Sequence, residues 1–271
     1  MQANARPSIP PGHCERIRTL STHGWLSQTD GTFSEAVIAA GVWKKVERDT
    51  RLFKSGDCAN DVIGLAEGVL AITSGGDFEE DAIIHISRPP TWLGWPALFG
   101  DTRHSYTATM KSAGWVLKVS RRALVALLDR NQPGWTTIMP LVARYDELAT
   151  IATDDLLIRK SEQRVIAVLL RFSGHEDPDG GPALNRLPIT QHELAGATNL
   201  SRNALIPILH GLEARNVIEL GKGYLLVRDT DALARLRIKA PCATDRSPRP
   251  SRGGGRSDRR ALEPAQAFPM A

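Results

Sequence analysis

The chain has 271 residues, 42% hydrophobic and 24% charged, ordinary for one or two globular domains. Its longest apolar runs, such as Val165-Ile166-Ala167-Val168-Leu169-Leu170, are too short to cross a bilayer, and no basic segment leads into a hydrophobic stretch near Met1, so a cytoplasmic protein without membrane contact is expected. The net charge of +4 hints at an anionic partner but is no proof of one, and Cys14, Cys58 and Cys242 are too far apart for a disulfide framework or a paired-cysteine zinc site.

Residues 1–24, with Pro7, Pro10 and Pro11 and no apolar periodicity, read as a disordered leader. A short helix is expected near Ser34 to Gly41. From Trp25 to about Ser120 short apolar runs alternate with turn signals, as in Arg51 to Asp57 and Val62 to Ile72, which predicts an antiparallel β-sandwich or barrel over residues 25–130. Ala82 to Ser87, Ser105 to Met110 and Trp115 to Val119 continue the pattern, and Ala123 to Leu128 closes it as a short helix.

Past Pro133 and Gly134 a long helix is expected within 131–160. Ile138, Val142, Tyr145, Ala149, Ala152 and Leu156 recur at alternating intervals of four and three, the spacing of a coiled-coil seam. Such a stripe fits a dimer interface, and it also fits a helix lying on its own domain's core. A further helix, Glu162 to Phe172, opens a third region, 161–238. Residues 239–271 hold seven basic and three acidic residues around a Ser-Pro-Arg-Gly run and read as a disordered basic tail; without them the chain is electrically balanced.

The third region carries the sharpest pattern. Thr190-Gln191-His192-Glu193 has the form of a capping box that starts a helix. Asn199 stands where a tight turn between two helices needs a left-handed residue, and Ser201 is a good N-cap for the second. That second helix buries Leu205, Ile208, Leu209 and Leu212 and shows Arg202, Asn203 and Ile206 on its other face, the layout of a recognition helix whose first residues meet base edges. Asn216 can close it. Val217 to Leu220 and Tyr224 to Val227 flank Gly221-Lys222-Gly223, a hairpin with a cation at its tip, placed to touch phosphate. The expected DNA-contacting set is therefore Thr190, Gln191, Ser201, Arg202, Asn203 and Lys222. Pro207, inside the second helix, should kink or shorten it.

Taken in order from about Phe33 to Val227, these segments resemble the Crp/Fnr superfamily of bacterial transcription regulators. Leu52-Phe53-Lys54-Ser55-Gly56-Asp57 resembles the family's strand leading to a Gly-Asp turn, Gly64 to Leu70 its central hairpin, and Thr190 to Ala195 with Leu200 to Asn203 the starts of its two DNA-binding helices. The resemblance implies an α+β fold: an N-terminal antiparallel β-roll of the cyclic-nucleotide-binding type, a long dimerisation helix and a C-terminal winged helix-turn-helix. It implies a homodimer on a roughly palindromic DNA duplex, with RNA polymerase as a further partner wherever the protein activates.

The family's nucleotide cassette, Gly-Glu and later Arg-Ser, is degenerate here. The matching residues are Gly94, Trp95, Leu98, His104 and Ser105, with Thr150 on the helix. Trp95 replaces the ribose-binding acid and His104 the phosphate-binding arginine, so cyclic AMP is not expected as the effector. Trp95 is read as filling the cavity in preference to stacking on another flat ligand. An iron–sulfur cluster lacks its cysteines, and haem would have to use a lone His85 or His104, so no cofactor or metal is expected. No catalytic motif occurs and no catalytic residue is assigned. The competing reading is a signalling protein responsive to a cyclic nucleotide or another small ligand, with the β-roll as its main functional site; the exposed Arg202, Asn203 and Lys222 argue against a vestigial helix-turn-helix.

Overall fold

In the computed structural model, residues 12–75, 82–99, 102–130, 134–175, 177 and 182–237 are described. The expected basic tail, 239–271, lies outside them, as do residues 1–11 of the expected leader. The rest of that leader is ordered: helix α1 spans His13–Thr22 and carries Leu20 with none of its surface exposed. Trp25–Gln28 forms a 3-10 turn, and α2, Gly31–Ala40, starts on Asp30, whose side chain accepts from the Phe33 N–H.

Eight strands follow: β1 (Val42–Val46), β2 (Arg51–Phe53), β3 (Asp61–Glu67), β4 (Leu70–Ser74), β5 (Ile83–Ser87), β6 (Thr91–Leu93), β7 (Tyr106–Met110) and β8 (Gly114–Ser120). They form two antiparallel sheets, in orders β1-β8-β3-β6 and β2-β7-β4-β5. Helix α3 (Arg121–Arg130) leads through a 3-10 turn into α4 (Met139–Leu157), and α5 (Ser161–Ser173) begins the last region. There β9 (Arg186–Leu187), α6 (Gln191–Ala197), α7 (Arg202–Ala214), β10 (Ile218–Gly221), β11 (Tyr224–Val227) and α8 (Thr230–Leu236) complete a winged helix-turn-helix, its small sheet ordered β10-β11-β9.

Alternation along the strands sorts the apolar side chains into three clusters. Between the sheets lie Phe53, Ile63, Leu65, Leu70, Leu93 and Met110. On the outer face of the first sheet, Val62, Ala66, Leu117 and Val119 meet Leu20, Trp25, Phe33, Leu124 and Leu141 from the helices. Strand β3 is therefore buried on both faces, and Gly64 leaves room for α1: a Cβ there would stand 3.0 Å from the Trp92 ring and 3.1 Å from Leu20. On the outer face of the second sheet, Ala71, Ile83 and Ile86 join Val165, Leu169, Phe172, Leu194 and Leu209 in one core that spans the roll and the DNA-binding region.

Buried charge reinforces that junction. Arg171 on α5 donates to Asp155 at the end of α4 at 2.7 Å and also to the carbonyl of Ile84 on β5. Both members of the ion pair are almost wholly enclosed, so removing one would strand the other's charge in the interior. His85, beside Ile84, is 8% exposed; burial, and then the positive fields of Arg171, Arg144 and Arg88, hold its pKa down to about 3.

His85 makes stability depend on pH. Its folded pKa lies below the unfolded value of about 6.5, so between about pH 6.5 and 3 the unfolded chain binds the extra proton, and stability present above that window falls as pH falls. Denaturant unfolding at pH 7 and pH 5 should show His85→Gln losing about 2 kcal/mol less than the parent protein. Equal losses in both proteins would contradict a neutral, buried His85.

Candidate nucleic-acid interface and sensor site

Local side-chain chemistry builds the DNA-facing surface. The Thr190 hydroxyl accepts from the Glu193 N–H at 3.1 Å, and the Glu193 carboxylate accepts from the Thr190 N–H at 2.8 Å, closing a capping box at the start of α6. Lys111, in the turn between β7 and β8, reaches the other Glu193 oxygen at 2.5 Å. Burial works to raise the Glu193 pKa, but Lys111 and Thr190 outweigh it and hold the carboxyl below its ordinary range. The roll thus grips the first turn of the helix-turn-helix directly.

Asn199 adopts φ +50° at the turn between α6 and α7, and Asn216 φ +57° just past α7, the two left-handed positions expected of them. Ser201 caps α7, accepting from the Ala204 N–H at 3.2 Å. Arg202 and Asn203 are exposed on its first turn, while Leu205, Leu209 and Leu212 are buried behind them and Ile206 and Ile208 are half-buried. Thr190 is exposed and Gln191 half-buried at the start of α6.

Of the two effects expected of Pro207, shortening does not occur: the recognition helix runs from Arg202 to Ala214. Pro207 and Asn203 are both exposed, so water can serve the Asn203 carbonyl that the proline leaves without a donor. Lys222 is exposed at the hairpin tip, followed by Gly223 at φ +78°. Sequence reasoning missed Arg186 on β9, whose guanidinium lies 3.8 Å from the Tyr224 ring centre. A two-residue strand has no period to betray it.

In the roll, Gly94 has φ +79°, and a Cβ there would press to 2.5 Å from the Asp61 carbonyl and lie 3.6 Å from the His104 ring. His104 is 6% exposed and stacks on Phe53, with ring centres 3.7 Å apart. Burial lowers its pKa against the opposing pull of Asp57 and Asp61. Trp95 starts a 3-10 turn, Trp95–Phe99, and is half-buried with Tyr145 and Phe99 beside it. It belongs to the cluster outside the roll, as does Leu98, and the space between the sheets is filled by Phe53, Leu65, Leu70 and Met110. The chain's own fold brings Gly94 and His104 together; Ser105 and Thr150 are exposed.

Helix α4 divides the expected seam in two. Ile138, Tyr145 and Ala152 turn toward their own chain: Ile138 is 1% and Ala152 9% exposed, and the Tyr145 hydroxyl donates to the Trp92 carbonyl at 2.6 Å. Val142 is half-buried, and Ala149 and Leu156 are exposed. The open side of α4 carries Met139, Val142, Asp146, Ala149, Thr153 and Leu156, again at alternating spacings of three and four, with Leu157 beside them 71% exposed.

Comparison with known proteins agrees with this architecture. Residues 43–131 match the family model "Cyclic nucleotide-binding domain" and residues 163–236 the "Crp-like helix-turn-helix domain". No curated protein matches the chain by sequence. Among solved structures, the c-di-GMP-responsive global regulator CLP of Xanthomonas campestris is similar at 17% identity and TM-score 0.59, the match covering 74% of this chain and 100% of that one. FixK2 of Bradyrhizobium japonicum is similar at 14% identity and TM-score 0.60, over 74% and 98% of the two chains. A CRP-family transcriptional regulator from Thermus thermophilus is similar at 18% identity and TM-score 0.56, over 72% and 96%. With a cyclic-nucleotide-binding β-roll and a Crp-like helix-turn-helix in one chain, the protein belongs to the Crp/Fnr superfamily of DNA-binding transcription regulators.

Proposed function

We propose that this regulator acts in the cytoplasm as a homodimer, reads a roughly palindromic duplex, performs no catalysis and does not answer to cyclic AMP. The observation that carries the reading is the first turn of α7, where Arg202 and Asn203 stand exposed on a helix capped by Ser201 and backed by a buried apolar face. Arginine reads guanine edges and asparagine adenine edges in the major groove, and Thr190, Gln191, Ser201 and Lys222 are assigned to the phosphate backbone in this reading. RNA polymerase is a further partner if the protein activates.

The exposed stripe of α4 supports dimerisation. A monomer gains nothing by leaving Leu156 and Leu157 in water, and a second α4 packed along Val142, Ala149 and Leu156 would cover them. Charge at two exposed positions should then separate the protomers without touching the fold: Ala149→Glu with Leu156→Glu is expected to sediment as a monomer where the parent protein is a dimer. An unchanged sedimentation mass would place the interface elsewhere.

Independence from cyclic AMP follows from the cassette. A cyclic phosphate entering the roll must exchange hydration for a fixed cation, and His104, with its pKa lowered by burial, is a weaker candidate than a free imidazole. Trp95 cannot accept a hydrogen bond from a ribose hydroxyl, because indole only donates.

Fluorescence anisotropy on a bound operator tests the reading. Arg202→Ala should weaken the cognate site by about 1–3 kcal/mol and relax its base preference. Lys222→Ala should weaken cognate and random duplexes alike and lower the salt slope by about one, and cyclic AMP should change neither curve. An operator affinity indifferent to Arg202→Ala would remove that residue from the interface.

A further inference from the structure

The small sheet of the wing carries a cation that the fold leaves without an acid. Strand β9 pairs with β11 so that Arg186 stands opposite Leu226, and β11 pairs with β10 so that Leu226 stands opposite Glu219. Directly opposed residues share a face, and Leu225 and Val227, on either side of Leu226, are buried in the core. Arg186, Tyr224, Leu226 and Glu219 therefore lie on the outer face of that sheet.

On this face the charges are sorted. Arg228 donates twice to one Glu219 oxygen, at 3.1 and 2.5 Å, so the acid nearest to Arg186 in register is already engaged. Arg215, just past α7, is likewise paired with Glu162. Arg186 is exposed and has no carboxylate partner among the described residues; its guanidinium lies over the Tyr224 ring, 3.8 Å from the ring centre. A ring contact holds a cation without cancelling its charge, and the N–H donors of Arg186 have no acceptor among the described residues. Its charge is therefore kept available and kept in place.

Tyr224 is fixed in turn. It stands opposite Gly221, and a Cβ at Gly221 would come 2.2 Å from the Tyr224 Cζ, so the ring lies across the hairpin, next to Lys222. Together with Gly221, Thr190 and Gln191 it lines one small cleft between the wing and the start of α6. Thr190, Gln191 and Lys222 are the residues assigned to the phosphate backbone in the proposed reading. By leaning on Tyr224, the Arg186 side chain brings its charge from β9 to that same edge.

A phosphodiester suits such a group. It presents two charged oxygens that the planar fork of a guanidinium can grip together, and it is the anion that duplex DNA offers at every step. Resting on the reading that α7 and the wing face DNA, we propose that Arg186 donates to a backbone phosphate of the duplex beside the wing tip and that Tyr224 is the residue that positions it.

The ring gives this arginine an advantage over one that is free in water. A long side chain surrenders rotamer freedom when it fixes on a partner, and Arg186 has surrendered part of that freedom on folding. The contact anchors the wing on the duplex and carries no base information. Arg202 and Asn203 on α7 then read a groove whose distance from the wing is set.

The test is binding of the full chain to labelled duplexes, read by fluorescence anisotropy across a series of sodium chloride concentrations. One duplex is selected by the protein from a random-sequence pool, and the other is a scrambled sequence of equal length. Arg186→Gln should weaken both by roughly three- to tenfold and lower the salt slope by about one, with an unchanged circular dichroism spectrum to show that it is folded. Arg186→Lys should keep the parent's slope, because the charge stays. Tyr224→Phe should bind as the parent does. Tyr224→Leu should lose affinity, and adding it to Arg186→Gln should cost little more. If the parent binds and Arg186→Gln matches it in affinity and slope, the contact alone is overturned; a parent that binds neither duplex overturns the reading beneath it as well. A loss confined to the selected duplex overturns the backbone assignment. A slope in Arg186→Lys as low as in Arg186→Gln overturns a contact made through charge, and parent-like binding by Tyr224→Leu overturns the positioning role.

Discussion

The outer face of the second sheet holds this molecule together. A β-sheet has two faces, and an apolar one must be covered; the roll's interior covers one face of each sheet, and helices α1 to α4 cover the back of the first. The back of the second presents Ala71, Ile83 and Ile86, and what covers it is the DNA-binding region, through Val165, Leu169, Phe172 and Leu194. The DNA-binding region is therefore part of the roll's core. Lys111 on the Glu193 capping box and Arg171 between Asp155 and Ile84 fix its orientation with directional contacts that an apolar patch alone lacks.

That arrangement gives the roll a physical route to the recognition helix. A shift of the turn between β7 and β8 moves Lys111, which bonds the first turn of α6, and α6 packs on α7 in the same apolar cluster. A shift of α4 moves Asp155, and with it Arg171 and α5. The second route passes through a buried ion pair, whose geometry is discrete because a partly separated pair in the interior is strongly unfavourable; the first passes through a partly buried one.

What could be read from the sequence follows from how local each signal is. The helix-turn-helix was legible because its determinants act over three or four residues: the Thr190 and Glu193 box, the left-handed Asn199, the Ser201 cap, the closing Asn216. The alternating strands of the roll were legible for the same reason. Helix α1 was not, since among its residues only Leu20 is buried and a single anchor makes no stripe. Its helicity comes from docking on β3. The α4 stripe shows the opposite limit. Spacing of three and four places residues on one side of a helix but does not say which partner covers them, so Ile138, Tyr145 and Ala152 went to the chain's own roll while the neighbouring stripe through Met139, Asp146 and Thr153 stayed open. The contact of Ala71, Ile83 and Ile86 with the DNA-binding region is a matter of residues about a hundred positions apart, for which one sequence holds no pattern.

On the proposed reading, the cassette around Gly94 sits in a family scaffold with side chains of different ligand chemistry. Gly94 adopts the left-handed conformation close to the Asp61 carbonyl, while Trp95 packs outward on Tyr145 and His104 stacks on Phe53. The central claim concerns the other end of the chain, that the surface of α7 reads sequence. Selection of bound duplexes from a random-sequence pool by the purified protein tests it most directly. The account predicts enrichment of a roughly palindromic site whose half-sites lie about one helical turn, or a multiple of it, apart; a bound pool as diverse as the starting one, held by salt-sensitive affinity alone, would contradict it.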